Sequence, residues 1–438
     1  MTAAVRPVAD ALDVEALRAR FPALRRVHRG HQVAYFDGPG GTQVPQEVVD
    51  AVADYLLHHN ATARWAFPTS QETDAVVEGA RRAAADLLNA RPDEVAFGAN
   101  MTTLAFHLAR AIGRRLPAGP AAGRPLGPGD EIVVTELDHH GNVGPWTALA
   151  EERGAVVRTA RMVPETGELD WAHLASLLGP RTRLLAVGAA SNALGTVVDV
   201  ARAAGLARHV GALTFVDAVH WAPHALVDVA ALARAGVDFL ACSAYKFHGP
   251  HVGLLWGRAE LLAALDVPRV SPASNEIPDR IETGTKNFEG LAGTRAAVDF
   301  LASLGDRPAG MFADVVAPEA RRARLRHAYE LLHAHEQAIA RRVWEGLGAV
   351  PGVTLYGPPP DRPRTPTVSF TVAGRRPEEV ARRLASRGLF VSHGNFYAST
   401  VTARLGLPDG LVRAGAACYT TSAEVERLVD AVAEAARA

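Results

Sequence analysis

Lysine is almost missing from this chain: of 46 basic residues only Lys246 and Lys286 are not arginine. Arginine supplies every other positive charge and stays protonated at any workable pH, so a rare amine, which can be desolvated and made nucleophilic, calls for a chemical reason. Cysteine is as scarce. Cys242 and Cys418 are the only two and form neither a disulfide framework nor a CxxC pair, which excludes a stapled scaffold and a thiol metal site. Net charge is also lacking, at −1, so no basic field draws the chain to nucleic acid or to an anionic membrane. No uninterrupted apolar run is long enough to span a bilayer, and MTAAVRPVADALDVEALRAR at the start carries charges where a signal peptide has an apolar core; the expectation is a cytoplasmic protein. Seventeen histidines invite a metal, but HHN, DHH and HAHE lack helical i,i+4 ligand pairs with a third ligand nearby, so none is expected. GxxxxGK[ST] and HExxH are absent, and DGPGGTQ has glutamine where a dinucleotide fingerprint needs its third glycine.

What is present is an alternating rhythm. Between about residues 90 and 257, DEVAFGAN, GDEIVVTELDHH, TRLLAVGAASN, GALTFVDAVH, VDFLACSAYK and VGLLWG read as strands, several apolar on both faces. VGPWTALAEERGA and VVDVARAAGLARHVGA carry helical spacing and end at glycine. The pattern predicts an α/β domain, a mostly parallel central sheet covered by helices, with its ligand at the carboxyl ends of the strands. After residue 305 the character changes. Leu325, Ala328, Leu332, Ile339 and Val343 mark one face of a long amphipathic helix, and YGPPPDRPRTPT is a Pro-rich loop. TVSFTVAG, a helix near 377–387, GLFVSHG, LVRAGAACYT and a last helix from Ser422 follow. The expected organisation is a large domain over 36–304, a smaller α+β domain over 305–438, and an N-terminal segment, 1–35, associated with the smaller one. At 46.3 kDa and 48% hydrophobic residues, the chain is long enough for both cores.

Lys246 ends the run FLACSAYK and Asp217 ends LTFVD, so two neighbouring strands bring an amine and a carboxylate to one edge of the sheet. A salt bridge suffices for such a pair taken alone. Three additions ask for more. Ser243, and Thr102 with Thr103 at the head of the helix in GANMTTLAFHLARAI, offer hydroxyls and free backbone N–H groups suited to a phosphate. His139, just past another strand in ELDHHGN, offers a flat ring for stacking. Amine, carboxylate, phosphate cradle and ring face are the requirements of pyridoxal 5′-phosphate.

With these motifs, from VAYFDGPGGTQVP to VRAGAACYTTSAEVERLVDAV, the chain resembles over nearly its whole length the class V aminotransferase family of fold-type I enzymes, and within it the cysteine desulfurase-like branch. The resemblance implies that Lys246 anchors pyridoxal 5′-phosphate and, once released by substrate, shuttles the Cα proton. It implies that Asp217 keeps the pyridine nitrogen protonated, that His139 stacks on the ring, and that Thr102, Thr103 and Ser243 bind the phosphate. His220, in DAVH, stands where desulfurases carry a glutamine that donates to the cofactor's 3′-oxygen, which makes that partner titratable. Asn192, in SNALGT, and Arg413, in VRAG, are implied to hold the substrate α-carboxylate. Thr285, in ETGTKNFEG, would reach the neighbouring phosphate across a homodimer interface, while Lys286 beside it is either structural or a second contact to that phosphate. Arg64, in NATARWAFPTSQ, meets the substrate side chain, the partner subunit, or only solvent.

The resemblance breaks at one position. Desulfurases carry a mobile sulfur-accepting cysteine in a loop matching VSHGNFYAST, and this chain has Tyr397 there. Cys418, an odd interval after Arg413, points away from the arginine's face if the strand continues, and Cys242 reads as a buried, inert strand residue. The implied chemistry is external aldimine formation and Cα proton abstraction on an amino acid, with β-elimination of a C–S bond favoured and no persulfide cysteine. Tyr397 or His393 then donates a proton to the leaving group, or Tyr397 serves as a second-face acid, or both pack the loop. A class V aminotransferase or epimerase is the alternative, and a silent cofactor-binding protein the second.

Overall fold

The computed structural model describes residues 12–306 and 319–437. Residues 1–11, where the expected N-terminal segment begins, and 307–318, just past the expected domain boundary, lie outside the described residues. The large sheet has seven strands: β1 (Val95–Gly98), β2 (Glu131–Thr135), β3 (Val156–Ala160), β4 (Thr182–Gly188), β5 (Leu213–Asp217), β6 (Phe239–Ser243) and β7 (Gly253–Gly257). Their spatial order is β1-β7-β6-β5-β4-β2-β3. All run the same way except β7, which pairs antiparallel with both neighbours.

Alternation along these strands feeds two cores. Val133, Leu185, Val187, Val216, Leu240 and Leu254 belong to the core on one face. Ile132, Val134, Leu184, Ala186, Phe215, Phe239 and Leu255 belong to the core on the other. Burial on both sides is why the strands read as continuous apolar runs. The strand that sequence reading missed, β3, is the edge strand: Val156, Arg158 and Thr159 are exposed, and its polar pattern reflects that. Six expected strands are present, as are the helices at Gly144–Arg153 and Val200–His209.

Helix α1 (Met101–Arg114) follows β1 and begins with a cap, Asn100 Oδ1 accepting the Thr103 N–H at 2.9 Å. The C-terminal part forms an antiparallel sheet of β8 (Val353–Tyr356), β9 (Thr367–Val372), β10 (Ser392–Gly394) and β11 (Leu411–Gly415), in the order β8-β9-β11-β10. Helices α2 (Glu319–Gly348) and α3 (Ser422–Arg437) flank it, and the residues expected on the apolar face of α2 are buried. Residues 34–35 pair with 389–390, and Ala34 and Phe36 enter the small-sheet core, whereas Leu17, Phe21 and Leu24 pack in the first large-sheet core.

Two expected strand ends need correction. β11 ends at Gly415 and Cys418 lies in the turn beyond it, so strand alternation does not set its direction; it is buried against His248, Sγ to Nε2 3.4 Å. β6 likewise ends at Ser243, and Lys246 sits in a single 3-10 turn, Ala244–Lys246.

Candidate active site

The carboxyl ends of β4, β5 and β6, the head of α1, and the loop before β11 enclose a cavity of about 650 Å³. Such a crevice is where open α/β sheets place their ligands. Lys246, Asp217, His139, His220, Thr102, Ser243, Asn192, Arg413 and Tyr397 all line it. Thr103, Arg64 and Thr285 do not.

Lys246 is buried, and its Nζ donates to the Pro39 carbonyl and, at 3.0 Å, to the Gly40 carbonyl. Burial, with the positive Arg413 nearby, lowers its pKa to about 8, so near neutrality a usable share of the amine is unprotonated. Asp217 is buried too. Its carboxyl accepts the Val219 N–H at 2.9 Å and burial raises its pKa to about 6. A cationic N–H donor is the partner that would favour its charged form.

His139 Nδ1 accepts the Gly141 N–H at 2.8 Å, and burial with the Lys246 charge pushes this imidazole down to about 4, neutral at working pH. Gly141 is required here: a Cβ would lie 2.6 Å from the Thr102 hydroxyl and 2.8 Å from His139 Nδ1. Ser243 Oγ accepts the Met101 N–H at 3.0 Å, joining the β6 end to the head of α1 beside the Thr102 hydroxyl. Thr103 turns its hydroxyl to Asn100 Oδ1 at 3.1 Å instead. His220 Nε2 sits 3.0 Å from the hydroxyls of Thr365 and Thr367, and burial holds its pKa well below the usual value.

Arg413 is buried on β11, with Nη1 on the Asn192 carbonyl at 2.9 Å and Nε on Ser392 Oγ at 3.0 Å. Asn192 Nδ2 donates to the Phe396 carbonyl at 2.9 Å, while its Oδ1 is buried without a partner. Phe396 and Tyr397 both have positive φ, at 56° and 57°, unusual for bulky residues and a mark of local strain. His140 N–H on the Tyr397 carbonyl, at 2.6 Å, pins this turn. Tyr397 is 74% exposed, and its ring stands 5.6 Å from the His139 ring.

Arg64 and Lys286 meet elsewhere. Arg64 pairs with Asp279, which also binds Lys286 at 3.0 Å; Lys286 reaches Glu282 at 3.0 Å, and Glu282 holds Arg81 at 2.8 Å. Thr285 lines the cavity beside that network. Sequence reading missed Tyr245, whose ring lies 4.9 Å from Lys246 Nζ and stacks on His251, and Phe396, 4.3 Å below the Arg413 guanidinium. Adjacency to Lys246 was the only available signal for Tyr245; nothing in the sequence marked Phe396.

The residues present fit pyridoxal 5′-phosphate. A buried carboxyl asks for a cationic N–H, an orphaned amide oxygen asks for a donor, and hydroxyls gather at a helix head suited to a dianion. Both cysteines lie outside the cavity lining and are buried. Burial pushes the Cys242 thiol up to about 12 and the Cys418 thiol well above its usual value, so neither is a ready thiolate.

A family model described as aminotransferase class-V matches residues 34–309 and 323–428. The chain is 33% identical over 436 residues to a probable cysteine desulfurase of Streptomyces coelicolor, covering 96% of each protein. Among solved structures, cysteine desulfurase CsdA of Escherichia coli superposes with a TM-score of 0.80 at 28% identity, over 98% of this chain and 99% of that one. The apo cysteine desulfurase of Thermococcus onnurineus NA1 superposes with 0.82 at 27% identity, over the full length of both.

Proposed function

This chain belongs to the class-V aminotransferase family, and from that premise we propose that it is a C–S β-lyase acting on an amino acid without a persulfide cysteine. Like its cysteine desulfurase relatives it is a pyridoxal 5′-phosphate enzyme. When bound, that group supplies a carbonyl that condenses with amines and a heterocycle that draws electron density from Cα.

In this reading the chain's own residues act as follows. Lys246 anchors the cofactor and, when freed, carries the Cα proton on Nζ; its lowered pKa suits both tasks. Asp217 would hold the ring nitrogen, His139 would supply the stacking face, and His220 would serve the 3′-oxygen. Ser243 and Thr102 hold the phosphate together with the head of α1; Thr103 supports them through Asn100. Arg413 and Asn192 bind the α-carboxylate. Tyr397 donates a proton to the departing sulfur. Thr285 contributes to the neighbouring site of a homodimer, and Arg64 lies at that subunit boundary. The division at residues 35 and 304 belongs to the same proposal.

The single observation that carries the lyase over the desulfurase is that the cavity is lined by Tyr397 and Phe396 but by neither cysteine. The enzyme is tested by incubation with cysteine, cystine and S-substituted cysteines without any keto acid. Pyruvate release is expected, abolished in Lys246→Ala together with the visible cofactor band. Conversion only when a keto acid is supplied refutes elimination, persulfide on the protein refutes the missing sulfur acceptor, and inertness toward every amino acid refutes catalysis.

A further inference from the structure

The stretch DGPGG, residues 37–41, fails as a dinucleotide loop yet borders both cations of the cavity. Asp37 is held against β11 by the Gly38 N–H on the Gly415 carbonyl at 3.1 Å and by the Gly415 N–H on the Phe36 carbonyl at 2.7 Å. The chain then turns tightly, the N–H groups of Gly40 and Gly41 both donating to the Asp37 carbonyl at 2.9 and 3.1 Å. This turn presents the Pro39 and Gly40 carbonyls to Lys246 Nζ, and the Asp37 carboxylate to Arg413 Nη2 at 3.3 Å.

The other two hydrogen-bond partners of the guanidinium, Ser392 Oγ and the Asn192 carbonyl, are neutral. Among the described residues, Asp37 is the one carboxylate in ion-pair range of Arg413. A buried guanidinium without an anion is costly, and three engaged N–H groups out of five leave two for an incoming ligand. Gly40 makes the arrangement possible, since a Cβ there would sit 2.4 Å from Asp37 Oδ2. The Asp37 side chain is 45% exposed while that of Arg413 is 5% exposed, so the acid has room to swing toward solvent and the base does not.

We propose that Asp37 is a built-in counter-ion: a positioning residue that holds the Arg413 fork through its carboxylate and yields that place to the carboxylate of an arriving ligand. The yielding half rests on reading Arg413 as the carboxylate partner; the holding half does not. The charge of Asp37 also reaches Lys246, which faces Asp37 and Asp217 as favourable charges, Arg413 as an unfavourable one, and His139 across the cavity.

The chain's two lysines make a direct test practical. Full-length, cofactor-free protein labelled on lysine gives two side-chain signals, assigned with Lys286→Arg. In Asp37→Asn the Lys246 signal is expected to titrate at lower pH than in the wild type, because an anion beside the ammonium is gone, while Lys286 is unmoved. On the holoenzyme, calorimetry with propionate as an unreactive probe is expected to show several-fold tighter binding to Asp37→Asn, because the competing carboxylate is removed. Asp37→Ser repeats both measurements if the amide variant folds poorly. An unchanged Lys246 titration overturns the counter-ion. A shifted titration with unchanged propionate affinity overturns the yielding carboxylate, and no propionate binding by either protein overturns the reading of Arg413 while leaving the counter-ion standing.

Discussion

At the scale of single residues, the cavity's chemistry comes from burial setting protonation states. Lys246 at about 8 and His139 at about 4 are both displaced toward neutrality by desolvation. In the anchoring role proposed for Lys246 only its neutral amine would be reactive, and that fraction grows as pH rises toward the amine's pKa. The rate of pyridoxal 5′-phosphate uptake by the cofactor-free chain is therefore expected to rise about tenfold from pH 6 to 7 and to level off above about pH 8, where an ordinary exposed lysine would still be climbing. Stopped-flow absorbance measures it. Tyr397 gives a second prediction. If its phenol protonates the departing sulfur, Tyr397→Phe slows elimination of an alkyl thiol about a hundredfold, leaves the cofactor band intact, and spares a nitrophenyl thiol that departs without a proton. Pyruvate release from the two substrates decides between proton donation and loop packing.

At the scale of elements, the end of the cavity proposed for the phosphate depends on how α1 starts. Asn100 spends its side-chain oxygen on both the N–H and the hydroxyl of Thr103, and Ser243 takes the Met101 N–H. The head of the helix is thereby shaped by a residue before it and by a strand end across from it. Asn100→Ala removes the cap and is expected to cost about 1 kcal/mol in chemical denaturation of the cofactor-free chain and to loosen cofactor binding in an equilibrium titration. Close approach matters as much as hydrogen bonding: a Cβ on Gly253 of β7 would stand 2.5 Å from the Asn100 backbone. No periodicity in the sequence announces that constraint, because it arises between segments far apart in the chain.

At the scale of the whole molecule, the first and last parts of the described chain enter one large-sheet core and the small-sheet core, with Arg18 on Glu424 at 3.0 Å as one of the clasps. Exposed apolar side chains gather on residues 56–67, where Leu57 is 76% and Trp65 62% exposed. Single exposed apolar residues are ordinary, but several on one short segment mark an interaction surface. With the homodimer proposed for this chain, the wild type is expected to sediment at twice the chain mass, and Trp65→Glu at the chain mass with activity lost. A wild-type monomer that is fully active sinks that proposal.

The strand rhythm, the strand-end Asp217 and the scarce Lys246 were legible in the sequence, because side-chain alternation and residue chemistry are local properties. The edge strand β3 was not, because exposure makes its pattern polar. That Lys246 rests on the carbonyls of Pro39 and Gly40, that Arg413 faces Asp37, and that Phe396 and Tyr397 form a pinned turn over the cavity were decided only by the tertiary structure. These contacts join residues more than two hundred positions apart in the chain. Distance through space fixes their electrostatics, and no spacing along the sequence encodes it.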